Sequence, residues 1–181
     1  MKHFFKLISF ILNPVFIMVI LYIMGLIFFK FTFFEKLSIS IFQLVIPIAV
    51  FSYHLYKGKI DFDLTERTTR IPLLVVALAC FGAGAIITYI GGHTAELKLE
   101  LGILFTFLIF TLITTHWKIS FHSFVLTVFF VLNIRYVSEL FIYPAFVIIP
   151  MIMYARLYLK KHTPMQTIAG TLLGLSIILF L

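Results

Sequence analysis

Charge is scarce in this chain. Of its 181 residues 12% are Asp, Glu, Lys or Arg, against about 25% in a soluble domain. Acids are the scarcer sign, seven against fourteen Lys and Arg. The one cysteine, Cys80, lies inside an apolar run, which excludes an intrachain disulfide and leaves the redox compartment unread. No internal repeat, low-complexity tract or polar linker divides the chain, so one membrane domain over residues 1–181 is expected. Lys2 and Lys6 resemble the start of a signal peptide, but the apolar run behind them is too long and lacks an Ala-x-Ala exit. It reads as a retained first helix.

What the chain has is apolar length. Hydrophobic residues make up 62%, and mean hydropathy is +1.16. A membrane-spanning helix needs about 20 mostly apolar residues. Seven runs approach that: 7–29, 37–56, 71–90, 99–115, 119–132, 137–154 and 164–181. The spacing predicts an all-α, polytopic bundle. A small-residue cluster, Ala79 with Gly82 to Ala85, and the pair Gly170 and Gly174 offer faces for close helix packing. Gly91 and Gly92 turn the chain between two runs.

Seven spans alternate sides. The N-terminal side then holds ten cations: Lys2, Lys6, Lys57, Lys59, Arg67, Arg70, Lys118, Arg156, Lys160 and Lys161. The other side holds four: Lys30, Lys36, Lys98 and Arg135. The positive-inside rule makes the richer side cytoplasmic. In a membrane protein a net charge of +7 speaks of loops and anionic lipid, not of nucleic acid.

Three polar stretches share that richer side. Arg67 and Arg70, three apart, share a helical face and suit bidentate contact with phosphate oxygens, or else pair with Asp61, Asp63 and Glu66. His116, Lys118, Ser120 and His122 cluster at one helix start, where ionisable groups either snorkel or serve function. The third stretch runs from Arg156 through Lys160, Lys161 and His162 to Thr163, Pro164 and Gln166. Thr163 reads as an N-cap, Pro164 as the first helical residue and Gln166 as the capping-box partner. His162 thus stands just outside a helix N-terminus, a place that favours anions.

Together the stretches resemble the type-2 phosphatidic acid phosphatase superfamily, which also holds the vanadium haloperoxidases. Its pattern is Lys-x6-Arg-Pro, then Pro-Ser-Gly-His, then Ser-Arg-x5-His-x3-Asp. The third motif matches best: Arg156 and His162 keep the spacing, with Ala155 for Ser and Gln166 for Asp. The second survives as Ser120 and His122, with Phe121 for Gly. In the first, Arg70 holds the arginine place, Pro72 falls one residue late and Asp63 stands for Lys. The resemblance covers about residues 57–170.

The resemblance implies a lipid-phosphatase-like bundle, with 71–115 as a hairpin between the first and second motifs. It implies hydrolysis of a phosphate or pyrophosphate monoester on a membrane lipid, without metal or other cofactor. His162 is the implied nucleophile and His122 the implied general acid. Arg70, Arg156 and Ser120 are implied to hold the phosphate. Arg67 and Lys118 are candidates beside them, Lys118 in place of the missing lysine, and Gln166 orients His162. The expected setting is a bacterial inner membrane, multi-pass, with the N-terminus and site cytoplasmic. The partner is a lipid carrying phosphate; a homo-oligomer or membrane complex is compatible with it. A second reading stays open beside this one: a non-catalytic member of the fold, a lipid-phosphate binder or accessory subunit. A third, a metal or haem site from His54, His116, His122 and His162, lacks the closely spaced histidine clusters of di-iron membrane enzymes. His3 and His93 are expected to be idle at the interface.

Overall fold

The first apolar run does not form one rod. In a computed structural model, which describes residues 1–62 and 64–181, Lys2–Ile11 forms helix α1 and Pro14–Phe28 forms α2. Pro14 has no N–H to continue α1 and suits a helix start. Asn13 caps α2, its Oδ1 accepting from the Val15 N–H at 2.9 Å.

The second run is interrupted more gently. Phe33–Ser40 is α3, Ile41–Val45 is a π turn and Ile46–Tyr56 is α4. Pro47 offers no N–H to the carbonyl four residues behind it, and the ladder widens just ahead of it. Thr32 and Glu35 start α3 with a reciprocal capping box, Thr32 N–H to Glu35 Oε2 at 2.7 Å and Glu35 N–H to Thr32 Oγ1 at 3.3 Å.

The remaining helices are α5 (Arg67–Ile90), α6 (Thr94–His116), α7 (Phe121–Tyr136), α8 (Ile142–Tyr158, led by a 3₁₀ turn at Glu139–Phe141) and α9 (Pro164–Leu175, continued by a 3₁₀ turn at Ser176–Phe180). α5 and α6 start earlier than hydropathy alone predicts. Polar first turns are cheap in a helix, and Glu96 complements the positive end of α6. Among the described residues the regular structure is entirely helical. Among the described residues five helical segments are long and apolar enough to cross a membrane: Lys2–Phe28, Phe33–Tyr56, Arg67–Ile90, Thr94–His116 and Glu139–Tyr158. Phe121–Tyr136 and Pro164–Phe180 are shorter apolar helices. All seven expected runs are therefore helical, though two fall short of a full span. The protein is an integral membrane helical bundle. Its large exposed apolar side chains, among them Ile27, Ile86, Phe146 and Leu172, are what lipid contact requires.

The chain gathers into two compact units. The first comprises Met1–Leu21, Trp117–Leu179 and Leu181. Its centre is α7, which buries 12 of its 16 residues. α8 and α9 pack on α7, and α1 packs on α8. Two glycines set how closely α9 approaches α7. A Cβ at Gly170 would lie 2.5 Å from the Ser120 carbonyl oxygen, and one at Gly174 2.7 Å from that of Phe124. Backbone atoms cannot turn aside as a side chain can, so the pair forms the small-residue packing face that the sequence offered.

The second unit comprises Tyr22–His116 and Phe180. Here α5 and α6 form a hairpin through Gly91 and Gly92, where Gly92 takes φ +75°. Threonines inside the apolar helices satisfy themselves: Thr106, Thr111 and Thr114 each donate to the carbonyl four residues back, at 3.0, 2.8 and 2.7 Å. His93 is not idle. It lies 3.2 Å from the Glu35 carboxylate, which also caps α3.

Candidate functional site

Lys160 holds a conformation that side chains rarely adopt. It follows α8 with φ +54°, in the left-handed region. Its N–H bonds the Leu157 carbonyl at 2.9 Å, and the Lys161 N–H bonds the Arg156 carbonyl at 3.0 Å. That pair of bonds is a Schellman ending, which normally uses glycine at this position. The turn reverses the chain within three residues and delivers His162 to the start of α9.

α9 begins as the sequence predicts. Thr163 Oγ1 accepts from the Gln166 N–H at 3.4 Å, and Gln166 Oε1 accepts from the Thr163 N–H at 3.1 Å. The same Oε1 is 3.1 Å from His162 Nδ1. These contacts fix a tautomer. The Thr163 N–H can only donate, so the amide atom facing it is the oxygen. An amide oxygen can only accept, so His162 Nδ1 must carry its proton. Nε2 is then the nitrogen with the lone pair in neutral His162. Capping and orienting are one arrangement here, not alternatives.

The second stretch is tied to the same place. The Ser120 N–H donates to the Gln166 backbone carbonyl at 3.0 Å, joining the start of α7 to the first turn of α9. Gly170 permits that approach. Ser120 is fully buried and caps α7, its Oγ accepting from the Ser123 N–H at 3.4 Å and the Ser123 hydroxyl at 3.0 Å. His122 is buried in the first turn of α7.

An open cleft of about 550 Å³ lies over this junction. Its walls include Lys118, Lys160, Lys161, His162, Thr163 and Gln166. Three lysines and the end of α9 make it electropositive, and none of the described residues that line it is acidic. Of the expected site residues, the cleft thus holds Lys118, His162 and Gln166. Ser120, His122 and Arg156 belong to the same unit but do not line the cleft.

Arg156 is fully buried in the last turn of α8. Its Nη1 donates to Ser9 Oγ of α1 at 2.5 Å. Sequence reasoning passed over Ser9. The available signal was a small hydroxyl side chain inside an apolar run, one turn after Phe5.

Arg67 and Arg70 belong to the second unit. Arg67 Nη1 donates to the carbonyls of Thr114, at 3.2 Å, and Thr115, closing the C-terminal end of α6 where orphan carbonyls favour a cation. Arg70 is buried, and it donates to the carbonyls of Leu64 and Thr65 in the loop before its own helix. Asp63, at the lysine place of the first motif, lies outside the described residues. Among the described residues no three His, Cys, Asp or Glu side chains are grouped to hold a metal ion.

The strained cap gives a prediction. Lys160→Gly removes a left-handed side chain worth about 1 kcal/mol and also a cleft cation. Its melting temperature is expected to rise by a few degrees while its affinity for inorganic phosphate falls several-fold. Differential scanning fluorimetry with and without phosphate measures both; a fall in melting temperature would show that the turn needs the lysine.

Comparison with known proteins agrees with the family resemblance. Residues 103–181 match the model of the PAP2 superfamily. Neither curated proteins nor solved structures gave a match. The matched segment carries α7, α8 and α9, hence Lys118, Ser120, His122, Arg156, His162 and Gln166. Residues 103–181, somewhat under half of the chain, are thus similar to the PAP2 superfamily, the type-2 phosphatidic acid phosphatases that the motifs resemble.

Proposed function

We propose that the protein hydrolyses a phosphate or pyrophosphate monoester carried by a membrane lipid, through a phosphohistidine on His162. One observation carries this. Gln166 fixes the His162 tautomer, so that a lone pair sits on Nε2 at an electropositive cleft. Phosphoryl transfer asks little covalent chemistry of a protein beyond positioning and charge neutralisation.

In the first step Nε2 attacks phosphorus and the P–O bond to the lipid breaks. The leaving oxygen takes a proton from protonated His122. In the second step water attacks the phosphohistidine, neutral His122 takes the water's proton, and phosphate leaves from Nε2. Atoms and charge balance, and His122 returns to its starting form. Lys118, Lys160 and Lys161 neutralise the phosphate, and Arg156 contributes a planar fork. The Ser120 hydroxyl already accepts twice, so its own proton is the part left to donate. No step calls for a metal, because the side chains supply the charge. The ten-to-four cation bias supports a cytoplasmic N-terminus and cleft.

A second reading has an observation of its own. The partner of His162 is an amide and not a carboxylate, which favours a protein that binds lipid phosphate without turning it over. The deciding experiment is phosphate release by purified protein from phosphatidate, a prenyl diphosphate and a phosphorylated glycolipid, with and without orthovanadate. Vanadate-sensitive release supports the hydrolase. Lipid-phosphate binding with no release from any of them supports the binder and ends the hydrolase proposal.

A further inference from the structure

Ser9 stands outside the segment that carries the motifs, yet it touches one of their residues. The contact is a side-chain hydrogen bond across 147 residues of chain, from Arg156 Nη1 to Ser9 Oγ at 2.5 Å. Both residues are buried, Arg156 at 0% and Ser9 at 3% exposure. Inside protein such a charge-assisted bond is stronger than a neutral one and fixes geometry as well as energy.

The helix that brings Ser9 there is anchored for the purpose. Phe5, one turn earlier on the same face of α1, packs its ring on Tyr154 at 5.3 Å and Tyr158 at 4.7 Å between centroids. Those two tyrosines flank Arg156 on α8. α1 ends at Leu12 and packs along α8. The residue before Arg156 is Ala155, which has no hydroxyl to offer.

We propose that Ser9 is a positioning residue for the phosphate-holding arginine. It occupies one donor on one arm of the guanidinium and so sets the plane in which the other donors point. This rests on the function proposed above. α1 is then a working part of the site, although it precedes the matched residues 103–181 by the greater part of the chain.

The test compares wild type, Ser9→Ala, Ser9→Thr and Arg156→Lys as full chains. Three readouts are the melting temperature, its rise in orthovanadate, and kcat and KM on whichever lipid of the panel is turned over. Ser9→Ala is expected to lose most of the vanadate-induced rise and about tenfold in kcat/KM, as befits a hydrogen bond to a charged group. Ser9→Thr restores both, because the hydroxyl returns. Ser9→Ala in the Arg156→Lys background has little further effect, since the fork is already gone. A Ser9→Ala protein with a lowered melting temperature but a wild-type vanadate response and kcat/KM would overturn the inference and leave Ser9 as packing alone. If Ser9→Thr is too bulky to fold, the double-variant comparison decides by itself. Failure of the underlying function looks different: wild type itself would show neither turnover nor a vanadate response.

Discussion

His162→Ala is expected to abolish phosphate release, by at least about 10³-fold, and to abolish the acid-labile phosphoprotein seen when wild type is quenched in mid-turnover. The expectation follows from the cleft's inventory. Its other described lining side chains are lysines, a leucine, a threonine, a proline and an amide. A lysine ammonium has no lone pair with which to attack, and the amide has no basic nitrogen. The variant should remain folded. Gln166 still accepts from the Thr163 N–H, so the helix start survives loss of the ring's contact with Gln166, itself worth about 1 kcal/mol. Rapid-quench labelling with phosphorus-32 lipid, beside a melting curve, makes the measurement. A phosphoprotein at wild-type level in His162→Ala would place the nucleophile elsewhere. Turnover without any trapped intermediate in either protein would replace the two-step route with direct attack by water.

What the sequence made legible, and what it did not, divides along a physical line. Features written in local chain chemistry were readable. Thr163, Pro164 and Gln166 specify a helix start because capping is settled within four residues, and the structure has that capping box. Gly170 and Gly174 declared a packing face by spacing alone, and α7 occupies it. Membrane residence followed from apolar length, and the family resemblance followed from the spacing of Arg156 and His162. Features that depend on which segments meet were not readable. Nothing in a seven-residue window says that Ser9 meets Arg156, or that the Ser120 N–H meets the Gln166 carbonyl. The arginines show the same limit. Arg67 and Arg70 share a helical face, yet each is drawn to carbonyls that a helix end or a loop leaves unsatisfied, at Thr114 and Thr115 for one and at Leu64 and Thr65 for the other. Pattern alone offers those guanidiniums phosphate or surface carboxylates, and it cannot see a carbonyl 47 residues away. The break at Asn13 was half legible: Pro14 was in view, but proline is tolerated within membrane helices, and only the polar cap beside it makes this one an interruption.

The second large effect is expected at Gln166, and the geometry selects the substitution. An aspartate there would restore the acid of the superfamily motif, but its carboxylate stops about 1.5 Å short of the present amide oxygen. That oxygen already makes two contacts at 3.1 Å, to the Thr163 N–H and His162 Nδ1. Glutamate keeps both while adding the missing charge. Gln166→Glu is therefore expected to speed single-turnover formation of the phosphoprotein by at least about tenfold. The scale comes from serine-protease triads, where exchanging the orienting carboxylate for its amide costs about 10⁴; part of that cost is a wrong tautomer, which this chain avoids because Thr163 already fixes the amide's orientation. The charge stabilises the positive imidazole that forms as Nε2 bonds phosphorus. Stability should hold or improve by up to about 1 kcal/mol, since glutamate is the usual third residue of a capping box and its charge faces the positive end of α9. Gln166→Asp serves as the control for reach: an acid in the first turn, equally suited to the dipole, but too short for His162 without a backbone shift. If Glu is fast and Asp is not, distance and charge together set the nucleophile. If Asp equals Glu, the start of α9 moves to meet a shorter side chain. If neither exceeds wild type, Gln166 is a helix cap and nothing more, and the proton on His162 Nδ1 is held there for stability alone.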